Sequence, residues 1–437
     1  MAFSSDCRSP FDPLGYASVV RAERAAEART VFATVFFGSG LGEAGAVGYM
    51  ACGTSSGAIS VFNLEHVLRR SRVRERKTTT AAAAAAVDRS CGRRKGEDED
   101  GPAVESADVV DASADAAWLA SHASDGEAAP TLVVPAHAGA VYALTAFSTD
   151  PTDGSQTAGG SPRLLCSAGE DGRTLVWRVA DLIAATDAAS ASASAATVTP
   201  AASFVNPQER RPRGALGPVP ETTALAADGR RGLVFAAAGD GVCYGWDVVE
   251  GREAPAMRLR GHGDMLHCVA ARAGAGQAVT GSEDGTARIW DVRSETCTQV
   301  VDVWRARSAV GGDNFKGGRW VGCVALDEAE NWVAMGCGGR CITMWSYAAA
   351  ACASRIATAA APQALMLTGE HIMAAGAEPA VYRWNLAGQL ISRQPCTPAS
   401  VYALDTQPRR LTAAGGTGAG VDLFSELGTR VCTVKCA

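Results

Sequence analysis

Residues 259–302 read LRGHGDMLHCVAARAGAGQAVTGSEDGTARIWDVRSETCTQVVD. Four short runs, MLHCVAA, QAVTGS, ARIWDV and CTQVVD, are split by Gly274-Ala275-Gly276, Glu283-Asp284-Gly285 and Ser294-Glu295. Short apolar runs bounded by such turn residues predict four β-strands joined by tight turns. The polar residues add a second device. The Asp284 carboxylate is placed to accept from the His262 ring, whose other nitrogen accepts from the Thr280 hydroxyl. The Thr280 oxygen in turn takes the Trp290 indole N–H, so that each buried donor finds a partner. A lone four-stranded sheet cannot bury both of its faces, so the unit needs neighbours of its own kind.

The Gly261-His262 start and Trp290-Asp291 end resemble the WD-repeat signature, which implies one propeller blade per repeat of about 40–45 residues. The closing aromatic recurs at Phe62, Trp177, Trp246, Trp345, Trp384 and Phe424, in AISVF, TLVW, VCYGW, CITMW, AVYRW and GVDLF. Successive spacings from Phe62 are 115, 69, 44, 55, 39 and 40 residues. The two long intervals hold low-complexity inserts. Residues 69–130 contain RRSRVRERK, TTTAAAAAA and GEDED, and residues 184–217 contain ATDAASASASAATVTPAAS and ERRPRG. Neither has the apolar periodicity to offset the entropy of ordering, so both are expected to be disordered or loosely helical. Setting aside both inserts and residues 1–30 leaves about 44 residues per anchor, within one blade length. The expected architecture is all-β: an N-terminal extension over 1–30, with a short helix near its end, then a seven-bladed propeller over 31–437. Six or eight blades stay open if the weak first or last unit is misread. Ring closure is expected mainly from packing of blade seven on blade one.

Blade two repeats the polar set as His137, Ser167, Asp171 and Trp177, with hydroxyl-to-acid and acid-to-Trp offsets of 4 and 6 as in Thr280, Asp284 and Trp290. Recurrence at matched offsets marks both sets as structural tetrads rather than catalytic trios. Blade three keeps Asp240 and Trp246 but has Ala236 at the hydroxyl position. Blades five, six and seven carry Gly339, Glu378 and Gly418 where the Asp would sit, so their networks are expected to be incomplete or absent.

The 437 residues carry a net charge of −6, with 20% charged and 47% apolar residues, which permits a large core and gives no global basic field. The N-terminus has no continuous apolar h-region, and no 18 apolar residues run uninterrupted by charge or Gly, so neither a signal peptide nor a membrane span is expected. The 14 cysteines are scattered singly, many inside strand patterns (Cys52, Cys166, Cys268, Cys323). That is the usage of reduced thiols in a cytosolic or nuclear protein.

Other motifs were weighed for chemistry. Gly40-Leu41-Gly42-Glu43-Ala44-Gly45 matches GxGxxG but is followed by a strand, AVGYMACG, and not by the helix whose N-terminus would hold a pyrophosphate; it reads as a hairpin loop. Cys337/Cys341 and Cys432/Cys436 lack the second pair or spaced histidines of a zinc site, so no metal and no cofactor is expected. The run Arg69, Arg70, Arg72, Arg74, Arg76 and Lys77 suits RNA phosphates or nuclear import, or is a solvated stretch balanced by the acidic residues 97–100.

Residues 317–339, 361–388 and 411–431, together with 259–293, resemble the THO complex subunit 6 family. The element Arg319-Trp320-Val321-Gly322-Cys323 and the terminal pattern LTAAG, V-D-x-F, LG carry the likeness. It covers 219–437 best, then 31–63 and 132–179, and neither insert. The resemblance implies a non-catalytic scaffold of the THO/TREX assembly, which couples transcription and mRNA packaging to nuclear export. It also implies a nuclear location and coiled-coil subunits 5 and 7 as partners; whether RNA is touched directly or only through the assembly stays open. The first guess for a partner contact is the loop 305–318, with Arg305, Arg307, Arg319 and Trp320; the competing reading makes Trp320 a packed core aromatic. Residues 279–293, ending Trp290-Asp291-Val292-Arg293, are also similar to the box by which WD-repeat substrate receptors dock on the cullin-4 ligase adaptor, with Arg293 as the cation. That gives the alternative reading, a ubiquitin-ligase substrate receptor.

Overall fold

The computed structural model describes residues 29–37, 48–68, 128–149, 162–191, 197–208, 216–303, 318–369, 371–407, 411–426 and 428–436. Outside them lie the stretch for which a short N-terminal helix was expected, Gly40 to Gly45, the basic run Arg69 to Lys77, and Arg305 and Arg307.

Seven antiparallel sheets of four strands follow one another along the chain, covering residues 31–135, 141–205, 222–259, 266–302, 321–357, 362–395 and 401–435. The central stretch forms blade four from Leu266–Arg272, Gln277–Ser282, Thr286–Asp291 and Thr296–Asp302, each within a residue of its predicted bounds. The architecture is therefore the seven-bladed propeller that the anchor spacing implied.

The physical reason for a ring lies in where the core sits. Seven apolar clusters are present, each shared by two adjacent blades; one joins Met50 and Phe62 of blade one to Leu411 and Leu423 of blade seven. No blade owns a core, so each is stable only against its neighbours. All seven anchors occupy the same place on the third strand, and Phe62, Trp177, Trp246, Trp290, Trp345, Trp384 and Phe424 are between 0% and 7% exposed.

The boundary of the second insert differs from the expectation. A helix, Val179–Ala191, seats Val179, Leu182 and Ala185 on the core between blades one and two. Beyond it, Ala202–Val205 forms the outer strand of blade two, paired with Arg173–Arg178. The low-complexity composition hid both, because a few apolar contacts suffice for each. In the strand the contact is Phe204, stacked on Trp246 of the next blade at 5.1 Å. Blade one likewise completes itself after its long insert with Leu132–Pro135, turning Leu132 and Val134 inward.

Among the described residues no strand is exchanged at the closure; blades seven and one meet face to face. Small bridges join Thr30 to Thr417 and Gly418, and Ala128 to Val434, with Lys435 N–H donating to the Ala128 carbonyl at 2.9 Å. Asp405 reaches across the same junction and accepts from the Phe36 N–H at 2.7 Å, and also from Thr406 N–H at 2.9 Å. Burial pushes this carboxyl up to about 6, against the lowering effect of those two donors. A carboxyl titrating near 6 in the fold and near 4 when unfolded favours the folded state in its protonated form. Its contribution is complete below about pH 4 and is lost as pH rises through 6, up to about 3 kcal/mol. Asp405→Asn is expected to flatten this part of the stability profile, read as urea midpoints between pH 4 and 7. An unchanged slope would refute it.

Candidate functional site

The two tetrads form as the offsets required. In blade four, His262 Nδ1 lies 2.9 Å from Asp284 Oδ2 and Nε2 lies 2.8 Å from Thr280 Oγ1, which also accepts the Trp290 indole N–H at 2.8 Å. In blade two the distances are 2.9 Å to Asp171, 2.9 Å to Ser167, and 3.0 Å from Trp177 Nε1 to Ser167 Oγ. A neutral imidazole satisfies the whole chain: its Nδ1–H donates to the carboxylate and its Nε2 accepts from the hydroxyl. Burial lowers the His262 pKa, consistent with that state. Burial would raise Asp284, but it is outweighed by hydrogen bonds from Gly263 N–H, Thr286 and His262, which hold the carboxyl at about 2. Both imidazoles are fully buried, so neither trio meets a substrate.

The other blades correct one expectation. Blades three and six have built a different pair, in which Tyr244 donates to Asp240 and Tyr382 to Glu378, both at 2.6 Å. The tyrosines sit opposite Ala236 and Ala374, small residues that leave room for the ring. In blade seven the buried Asp422 accepts from Thr397 N–H and Oγ1 and from Thr433 Oγ1. Among the seven anchors, the indole N–H groups of Trp246 and Trp345 are buried without an acceptor. Of the cysteine pairs, Cys337 and Cys341 face each other across a hairpin, and Cys436 packs in the same core as Cys52.

The site that sequence reasoning missed is the mouth of the central channel. Every innermost strand carries a β-bulge after its first residue, so its second residue has no partner in the ladder. A bulge re-aims the extra side chain. Here it turns Phe32, Tyr142, Thr223, His267, Gln363 and Tyr402, with Gly322, into one cavity of about 620 Å³. The next positions are small in all seven strands (Ala33, Ala143, Ala224, Cys268, Cys323, Ala364, Ala403), and Leu144, Leu225, Leu365 and Leu404 follow. The signal was present as the second residue of each inner strand, but its types are mixed and only the bulge gives them a common direction.

A profile of the WD domain, G-beta repeat, matches residues 254–291. The chain is 36% identical over 308 residues to THO complex subunit 6 of Arabidopsis thaliana, covering 70% of this chain and 77% of that protein. The chain belongs to the THO complex subunit 6 family. It is also 28% identical over 325 residues to human THO complex subunit 6, covering 72% and 83%, and 33% identical over 121 residues to the Drosophila melanogaster protein, covering 28% and 32%.

Within this THO complex subunit 6 family ring, the residues singled out for partner contact do not form one patch. Trp290 is 1% exposed and belongs to the blade core, so it is removed from the candidate contacts. Asp291 is spent on a turn, accepting from Ser294 N–H at 2.8 Å and Ser294 Oγ at 3.0 Å. Arg293 is exposed on the loop between the third and fourth strands of blade four. Arg319 and Trp320 lead into the inner strand of blade five, at the opposite end of the antiparallel sheet. Trp320 is neither core nor free loop. It lies on a bed of Gly318, Gly322 and Gly338, where a Cβ would strike its ring, and it walls the channel mouth beside His267 at 5.8 Å. The Arg319-Trp320-Val321-Gly322-Cys323 element thus has a physical reason: Gly322 is the bulge position over which Trp320 folds.

Proposed function

We propose that this protein is a non-catalytic WD-repeat scaffold of a THO/TREX-like complex, acting in the nucleus where transcription and mRNA processing are coupled to mRNA export. Family membership carries the reading, since the relatives that span most of their length in this chain are named for a subunit of the THO complex. The fold supports it: seven blades locked by shared cores make a rigid ring with its rims left for partners. The proposed partners are the coiled-coil subunits 5 and 7 of such a complex. RNA is reached through the assembly rather than the channel mouth, whose carboxylates repel phosphate. Among the described residues no helix is long and apolar enough to cross a membrane.

Affinity purification of the tagged full chain from nuclear extract, read by mass spectrometry, is expected to recover both coiled-coil subunits. Recovery of neither would overturn the reading. The family match lends no support to the cullin-4 alternative. In the same experiment Arg293→Ala is expected to leave the recovered subunits unchanged.

A further inference from the structure

The channel mouth is chemically lopsided. On the side of blades seven, one and two, Tyr402, Phe32 and Tyr142 stand side by side, with Phe32 5.2 Å from Tyr142 at 77° and 5.9 Å from Tyr402 at 34°. Glu221 stands next to them at the start of the inner strand of blade three. Glu283 lies further round, and its carboxylate is engaged with His267 at 2.6 Å. Among the described residues Glu221 has no such partner, and none of those lining the cavity is a Lys or Arg. Arg319, beside Gly285, lies outside the lining. The acidic field is felt by its neighbours: burial first, then the Glu221 and Glu170 charges, raises the Tyr142 phenol. One more group points to a missing donor. Gln363, on the same bulge ring, has its Oε1 buried without a hydrogen-bond partner.

From this arrangement we propose that the channel mouth is a recognition site for a cationic side chain, arginine or lysine with or without methylation, presented by an extended peptide of a partner protein. Aromatic faces attract a cation through the ring quadrupole, and the half-buried Glu221 beside them supplies the counter-charge. The cavity of about 620 Å³ exceeds a single side chain and matches a short peptide segment. For an anion or a nucleic-acid phosphate the described lining offers two carboxylates that repel it and no Lys or Arg that would offset them. The inference goes beyond the scaffold reading and does not depend on which subunits are bound: it assigns ligand chemistry to a site on the ring itself.

The test uses the full-length protein and three fluorescein-labelled heptapeptides with Gly/Ser flanks and a central arginine, trimethyl-lysine or citrulline. Fluorescence anisotropy is expected to rise with one or both cationic peptides and not with citrulline; the better cation identifies the source. Glu221→Gln is expected to weaken binding about tenfold. Phe32→Leu, which keeps apolar volume but removes the ring face, is expected to act similarly, with thermal melting confirming that both variants are folded. Equal binding of the citrulline peptide, no binding of either cationic peptide at millimolar concentration, or unchanged affinity in both variants would overturn the proposal.

Discussion

Thr280→Val is expected to lower stability by about 2–4 kcal/mol although it conserves shape. The Thr280 hydroxyl is fully buried and does two things at once: it accepts the Trp290 indole N–H at 2.8 Å and donates to His262 Nε2 at 2.8 Å. Valine leaves both partners without water and without a hydrogen bond, and each orphaned group costs about 1–3 kcal/mol. The Asp284 end of the network is weakened as well. That carboxyl is held at about 2, so it contributes stability above the ordinary carboxylate range near 4 and loses it as pH falls through 2. Urea denaturation of the variant at pH 7 measures the first effect; a loss under 0.5 kcal/mol would show the tetrad to be ornamental. The reverse change belongs to the same argument. Trp246 has no acceptor, and Ala236 stands where blade two has Ser167. Ala236→Ser offers that acceptor but should gain less than about 1 kcal/mol, because the Tyr244 ring opposite occupies the room beside Ala236.

Gly416→Ala is expected to cost about 3 kcal/mol or more. The residue ends the second strand of blade seven, and a Cβ there would be driven into the Ser400 carbonyl oxygen and against Val401 Cα. These are backbone atoms, fixed by Thr417 N–H donating to the Ser400 carbonyl at 2.9 Å and by Ser400 N–H donating to Thr417 Oγ1 at 3.0 Å. No rotamer change relieves the clash, so the inner strand must move at the blade that closes the ring. Gly369→Ala is the control, because nothing lies within 4 Å of its Cβ; it should shift stability by less than about 0.5 kcal/mol. Comparable losses in the two variants would refute the account.

What could be read locally was read. The four strands of residues 259–302, the seven aromatic anchors and both tetrads depend on partners within a single blade, at fixed offsets along the chain. Offsets of that kind survive in a sequence. The reading failed where one contact replaced a pattern. Phe204 gives the outer strand of blade two its place through a ring on the next blade, and the Ser/Ala-rich composition around it conceals that. The acid–tyrosine pairs of blades three and six were also hidden, because Tyr244 and Tyr382 replace a histidine that would have come from another loop.

By itself the sequence determined the repeat and the fold class, because turn chemistry, strand period and hydrogen-bond offsets act over a few tens of residues; the family was legible only as a resemblance, carried by Arg319 to Cys323 and the terminal pattern. Only the tertiary structure decided the channel mouth. Its cavity takes the bulged residue of each inner strand, six side chains and Gly322, and their common direction comes from a bulge repeated at each one. The bed under Trp320 was settled the same way, by which neighbouring groups the closed ring brings against its ring face.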